Sequence, residues 1–220
     1  MGWLLAGVAA LAVTVITVGA VLVVLQIVNS GETESEAAPD AGAPAIDGGV
    51  KCGVERWAVK TLSDNDAGRV NFGPEQTTVD SLRRMQLPVV SASTKRLESE
   101  RRTVTVVAQL IDAKVEDDHD VHLVIAEPSD PSKTMIVELP DVGCSGPISS
   151  AKREEMRLAR EAFDRACGEP PKSRFVHLGA NATATITGVV FVDEIHGQRG
   201  VAPNGVEIHP VLRIEIANCR

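Results

Sequence analysis

The chain has 220 residues, a formal net charge of −8, an aromatic content of 3% and no tyrosine. An acidic, aromatic-poor chain speaks against the basic groove and stacking platform that single-stranded nucleic acid requires. The length allows one domain with a substantial core once the apolar N-terminal segment is set aside.

From Trp3 to Val28 there is no charged residue, and Val, Ala, Leu and Ile dominate. A helix of that length spans about 39 Å at ~1.5 Å per residue, more than the ~30 Å hydrocarbon core of a bilayer. The run exceeds the ~7–15 residues of a signal-peptide core and lacks a basic leader and a convincing Ala-x-Ala site. Residues 1–29 are therefore expected to form a retained single-pass anchor, with membrane contact through residues 3–28; a cleaved signal peptide is the competing reading. Residues 30–49 are rich in Ala, Pro, Gly and acid and show no apolar period, which predicts a flexible linker. Five of the 30 acids fall there, leaving 25 acids against 22 bases in the rest of the chain. The remainder is thus close to neutral.

All four cysteines, Cys52, Cys144, Cys167 and Cys219, follow the anchor, and none forms a CxxC pair. An even count in an exported domain suggests two disulfides, with three pairings open. Cys52–Cys144 with Cys167–Cys219 is favoured. The first would pin the start of the domain beside the third strand, and the second would tie a helix end to the last strand. The expected location is the cell membrane, with the C-terminal domain outside the cytoplasm.

Residues 50–95 read as an N-terminal extension. It holds a candidate strand over 52–64 and a short helix in "TTVDSLRRM" capped by Thr77 or Thr78. Residues 96–220 then form the main domain. "TVTVVAQLIDAKV" (103–115), "VHLVIAE" (121–127) and "KTMIVELP" (133–140) alternate as half-buried strands, the last two separated by the turn residues "PSDPS". A helix capped by Ser149 or Ser150 comes next, with Met156, Ala159, Phe163 and Ala166 on one stripe, and it ends at Gly168 and Pro170–Pro171. Strands over 181–192, where Gly188 suggests a bulge, and 205–216 close the chain. The order β-β-β-α-β-β is that of the OB-fold, a five-stranded barrel, so the class is mainly β; an α+β sandwich is the alternative.

The blocks "CGVERWAVKT", "DDHDVHLVIAEP", "TMIVELPD" and "HGQRGVAPNGVEIHPVL" together resemble a family of exported bacterial proteins of uncharacterised activity. The likeness covers most of residues 52–214 and implies a shared domain without implying a reaction. The chain departs from it at "GVVFVDEIHGQ", where more aromatic residues are expected.

In an OB-like barrel the loop after the first strand and the loop before the last flank one binding face. Here they are 116–120 and 196–205. Asp120 and His122 alternate with Val121, Leu123 and Ile125, while Glu207 and His209 flank Ile208, so all four are expected to point away from the barrel core. Gathered together, Asp120, His122, Glu207 and His209 would make a His/carboxylate set for a divalent metal, zinc or manganese, able to activate water. The competing reading is a solvated hairpin tip with histidines bonded to their neighbours. In the second loop, Gly197, Gly200, Pro203 and Gly205 shape the backbone, and His209–Pro210 keeps His209 extended. His196, Gln198, Arg199 and Asn204 are the candidate binding residues, with Gln198 and Arg199 expected free at the tip. No G-x-S-x-G elbow, P-loop or G-x-G-x-x-G occurs. The function expected is a membrane-anchored, envelope-exposed binding or interaction module for a protein or small ligand. The alternative is a metal-dependent hydrolase acting on phosphate esters or nucleic acid.

Overall fold

The computed structural model describes residues 52–53 and 55–219. The expected membrane anchor and linker lie outside the described residues. The described residues all belong to one compact unit. Among the described residues no helix is long and apolar enough to cross a membrane.

The unit is mainly β, with a mixed sheet. Among the described residues seven strands run β1 (Asn71–Gln76), β2 (Arg102–Val115), β3 (Val121–Glu127), β4 (Asp130–Leu139), β5 (Val176–His177), β6 (Thr183–Val192) and β7 (Val206–Ala217). Four α-helices accompany them among the described residues: α1 (Trp57–Lys60), α2 (Val79–Arg83), α3 (Ser145–Ser149) and α4 (Arg153–Cys167).

The alternation of Val104, Val106, Ala108 and Leu110 sets the face of β2, and all four are wholly buried. The first half of β2 pairs antiparallel with β6, from Thr103–Val189 to Gln109–Thr183. Its second half pairs antiparallel with β3, from Gln109–Ala126 to Val115–Val121. A two-residue turn then leads into β4, which starts at Asp130, so the strand is longer at its N-terminal end than the turn residues "PSDPS" suggested. β4 pairs in parallel with β7, and β7 pairs antiparallel with β6. Each of β2, β3, β4, β6 and β7 therefore has a sheet neighbour on both sides. The register slips on either side of Gly188, the irregularity expected there. A Cβ at that glycine would lie 2.4 Å from Ile208 Cγ2 and 2.5 Å from the Pro210 carbonyl oxygen, so only glycine lets the two strands approach.

Leu110, Leu123, Ile125, Met135, Val137, Ile186 and Ile208 make the centre of the core. α4 lies on β7 and sends Phe163 and Ala159 into that core, while Met156 joins a smaller cluster with Leu62, Val70 and Val189. Fully burying a phenylalanine is worth roughly 1.5–3 kcal/mol, which makes Phe163 the main tether of the helix.

Four expectations are corrected. Residues 57–60 form a turn of helix rather than a strand. Neither Ser149 nor Ser150 caps the long helix: Ser149 ends α3, and α4 starts at Arg153 after Lys152, because Pro147 gives the preceding segment its own short turn. Ala166 is exposed, the stripe having rotated off the sheet by the last turn of α4. The strand β1 was not foreseen. It runs parallel to β2 at the sheet edge and carries Gly73 and Pro74, which disguise it. Thr78 does cap α2, its side chain accepting from the Ser81 N–H.

Two disulfides join Cys52 to Cys144 and Cys167 to Cys219, with Cα separations of 5.7 and 5.2 Å, in the favoured pairing.

A buried charged row beneath a cleft

Cross-strand register builds this site. Lys114 of β2 lies opposite His122 of β3, and His122 lies opposite Glu138 of β4. The β4–β7 register runs Ile136–Glu207 and Val137–Ile208, which brings Glu138 alongside His209 of β7. One row of polar side chains thus crosses four strands, on the face opposite Leu123, Val137 and Ile208.

That face is not solvated. His122, Glu138, Glu207 and His209 are all buried, and so is Asp120 just before β3. Two segments cover them. One is α1, held by Arg56. Its guanidinium is buried in a fork on Glu100, at 2.8 and 2.7 Å, and stacks 4.7 Å from the Phe191 ring centre. This places Lys60 over Phe191 and 3.3 Å from Asp193 Oδ2. The other cover is the loop 193–205, closed by the Asp193 N–H donating to the Gly205 carbonyl at 2.8 Å. Gly200 has φ +86°, and a Cβ there would meet Val124 at 2.5 Å, so the loop sits flat on β3 only with glycine at that point.

The contacts form a chain of acid and imidazole. His209 Nδ1 lies 2.9 Å from Glu138 Oε2, and its Nε2 lies 3.3 Å from Asp120 Oδ2. The other oxygen of Glu138 is 3.5 Å from His122 Nδ1. His122 Nε2 faces the Arg199 carbonyl oxygen at 2.9 Å. Distance and direction disagree at the centre of this chain. Both contacts of His209 are within ion-pair range, yet neither ring nitrogen forms an aligned hydrogen bond, and Asp120 Oδ2, Glu138 Oε2 and Glu207 Oε2 are also without one.

Electrostatics divide the groups. Burial alone would raise Glu138, but Lys60, His209 and His122 outweigh it and hold its carboxyl well below the usual range. Burial opposes charge on His209, yet Glu138 and Asp120 lift its pKa to about 9. Burial, with Glu138 and Asp193 nearby, pushes Glu207 up to about 8, so it keeps its proton at neutral pH. Burial, aided by Asp120 and Glu138, raises Asp118 to about 6. Lys60 stays charged because Glu138, Glu207 and Asp193 overcome its desolvation. Such displaced values gathered in a cleft mark a candidate functional site.

Above the row lies a cleft of about 670 Å³. Glu116, Asp117 and Asp118 line one side, His196, Gln198 and Arg199 another, and Glu138 and Glu207 reach it from below. Both of the loops singled out from the sequence border this one cleft.

The structure brings together Asp120 and His209 of the expected metal set, but with Glu138 as the third member. His122 is held off by the Arg199 carbonyl, and Glu207 is not within the same close group. A second close group, Cys52, His119 and Cys144, has both cysteines committed to a disulfide. Arg199 is not free at a tip: its Nη2 and Nε reach Asp112 Oδ2 at 2.6 and 2.8 Å. Gln198 is bonded inside the loop, donating to the Glu194 carbonyl and accepting from the His196 N–H. Asn204 points at the extension, donating to the carbonyls of Leu82 and Met85. Of the four candidate loop residues, only His196 both borders the cleft and stays exposed without a side-chain hydrogen bond. His209 precedes Pro210 through a cis peptide bond.

Two residues of the site escaped the sequence reading. Glu138 could have been found, since it shares the alternation phase of His122 and breaks the apolar second half of its strand. Lys60 carries no local signal, because its place depends on α1 folding back over the sheet. Comparison with protein-family models, curated proteins and solved structures finds no match to this chain.

Proposed function

We propose that the chain is a membrane-tethered, envelope-exposed module, built on an OB-like barrel, that binds a small amine-bearing ligand in the cleft. The ring of pairings β2-β3-β4-β7-β6, with β4 and β7 parallel and α4 inserted before β6, supports the barrel reading. The two disulfides agree with an oxidising compartment. The observation that carries the binding reading is the cleft itself. Its volume suits a small molecule, and it is lined by seven acids against Lys60, Lys114 and Arg199. Even with Glu207 protonated, the acids outnumber the cations. Trp57 supplies aromatic surface at its side, where an ammonium is welcomed by a ring face, while the Phe175 ring already carries Lys114 and Arg199.

Calorimetric titration of the purified chain tests this, with putrescine and spermidine as cationic probes and phosphate and citrate as anionic ones. The amines are expected to bind, and the Glu116→Gln, Asp117→Asn double variant to weaken them with little change in melting temperature. Binding of the anions alone, or amine binding indifferent to those changes, would exclude this reading. The tether is checked by alkaline carbonate extraction: the full chain is expected to stay with the membrane, and its release would remove the anchor.

A further inference from the structure

We infer that Asp120, Glu138 and His209 form a binding site for one divalent transition-metal ion, reached from the cleft past Glu138. The inference is independent of what the cleft itself binds.

Placement comes first. One ligand atom from each of the three lies within 4.8 Å of the others, and all three residues are buried. They come from three separate elements: the turn before β3, the end of β4 and the first third of β7. Strand register, not a flexible loop, fixes at least two of them.

The second observation is the state of the donor atoms. Buried polar atoms in folded proteins almost always have aligned partners. Here His209 is wholly inaccessible and neither of its ring nitrogens has one, and Asp120 Oδ2 and Glu138 Oε2 share that condition. An imidazolium donating to both carboxylates would align its two N–H groups on them. The side chains instead approach one another closely without that alignment, Glu138 Oε2 beside Nδ1 and Asp120 Oδ2 beside Nε2, so the ion would take one ring nitrogen of His209 while the other stays toward the second carboxylate.

The outer contacts fit the same reading. Asp120 Oδ1 accepts the Asp141 N–H at 3.1 Å, leaving Oδ2 as the outward donor. Glu138 Oε1 faces His122, leaving Oε2 toward His209. His122 is itself oriented by the Arg199 carbonyl. Ligands held through their second atom by neighbouring groups are characteristic of metal sites. One imidazole with two carboxylates suits zinc or manganese, whereas calcium and magnesium prefer all-oxygen sets. Glu138 alone of the three borders the cleft, which leaves the ion one open direction. Lys60 borders the same cleft as Glu138 and brings a like charge toward the ion.

The test uses the full chain, stripped with chelator and titrated with Zn²⁺ and Mn²⁺, with bound metal counted by elemental analysis. One ion per chain is expected. Glu138→Gln and His209→Gln should each weaken binding at least 100-fold, His177→Gln on the surface should leave it unchanged, and Lys60→Met should tighten it severalfold by removing the opposing charge. Asp120→Asn, which keeps the shape of the side chain, serves if a variant at His209 fails to fold. Cobalt substitution reads the site independently through its visible absorption, which should be lost in Glu138→Gln. No stoichiometric ion in the native chain, or an ion that survives both Glu138→Gln and His209→Gln, overturns the inference.

Discussion

The Arg56–Glu100 pair decides whether α1 stays over the sheet, and its removal is a direct test of how the cleft is held. Side-chain exposure is 1% for Arg56 and 0% for Glu100. Beyond the fork from Arg56, Glu100 accepts the Val192 N–H at 3.0 Å and the Leu97 N–H at 2.6 Å. Arg56 donates further to the carbonyls of Thr94, Lys95 and Val192. Glu100→Ala strips four acceptor contacts and leaves a guanidinium buried without its counter-charge. Breaking a buried pair from one side costs about 3–5 kcal/mol. For a domain of this size, about 2–4 °C of melting temperature per kcal/mol gives a fall of roughly 6–20 °C. A double-mutant cycle with Arg56→Met should show coupling of about 2–3 kcal/mol, because the second change removes the stranded charge. Full recovery is not expected, since three carbonyls and two amides remain unpaired. Urea unfolding followed by far-UV circular dichroism gives the global value, and the fluorescence of Trp57, isolated by Trp3→Phe, reports on α1. A Glu100→Ala loss below about 1 kcal/mol, or additive single changes, would refute this account of how the extension is anchored.

Removing the Cys167–Cys219 bridge by a paired change to alanine should cost about 2–4 kcal/mol, the range for closing a loop of this order, read from urea midpoints. Gly188→Ala should destabilise by about 1–3 kcal/mol or more, because its Cβ meets the backbone of β7 at Pro210 and Val211 as well as the buried Ile208 side chain; an unchanged urea midpoint would contradict the close approach of the strands. Arg199→Ala should cost about 1 kcal/mol, above the ~0.5 kcal/mol usual for an exposed tip, since it leaves Asp112 with only His177 beside it; a melting curve identical to the native one would contradict that.

The five long strands were legible because each buries one face against a shared core, which writes a period of two into the sequence. Val104, Val106 and Ala108 carry that period plainly, as do Val121, Leu123 and Ile125. β1 was not legible: "NFGPEQ" is nearly all exposed, so burial imposes no pattern on it. α1 has four residues, too few for a helical stripe to register. The site divides along the same line. Asp120, His122, Glu207 and His209 could be placed on one face by alternation. Their burial could not, since it depends on α1 and the 193–205 loop folding over that face. Arg199 was misjudged for the same reason: its partner Asp112 lies far away in sequence and is brought near by the β2 path.

The row Lys114–His122–Glu138–His209 also bears on how the chain avoids misfolding. Strand side chains alternate strictly, so a slip of one residue in β3, β4 or β7 would exchange the two faces of that strand. For β3 it would drive His122 into the space filled by Leu123 and lift Leu123 under the cover of α1; in β4 Glu138 and Val137 would trade places. In a strand that is apolar on both of its buried faces, such an error would swap one apolar contact for another and be weakly penalised. Here every slipped register would bury a charge in hydrocarbon, remote from its partners. The charged row therefore acts as a proofreading device for strand pairing, separating the correct alignment from its neighbours by a wide margin in free energy.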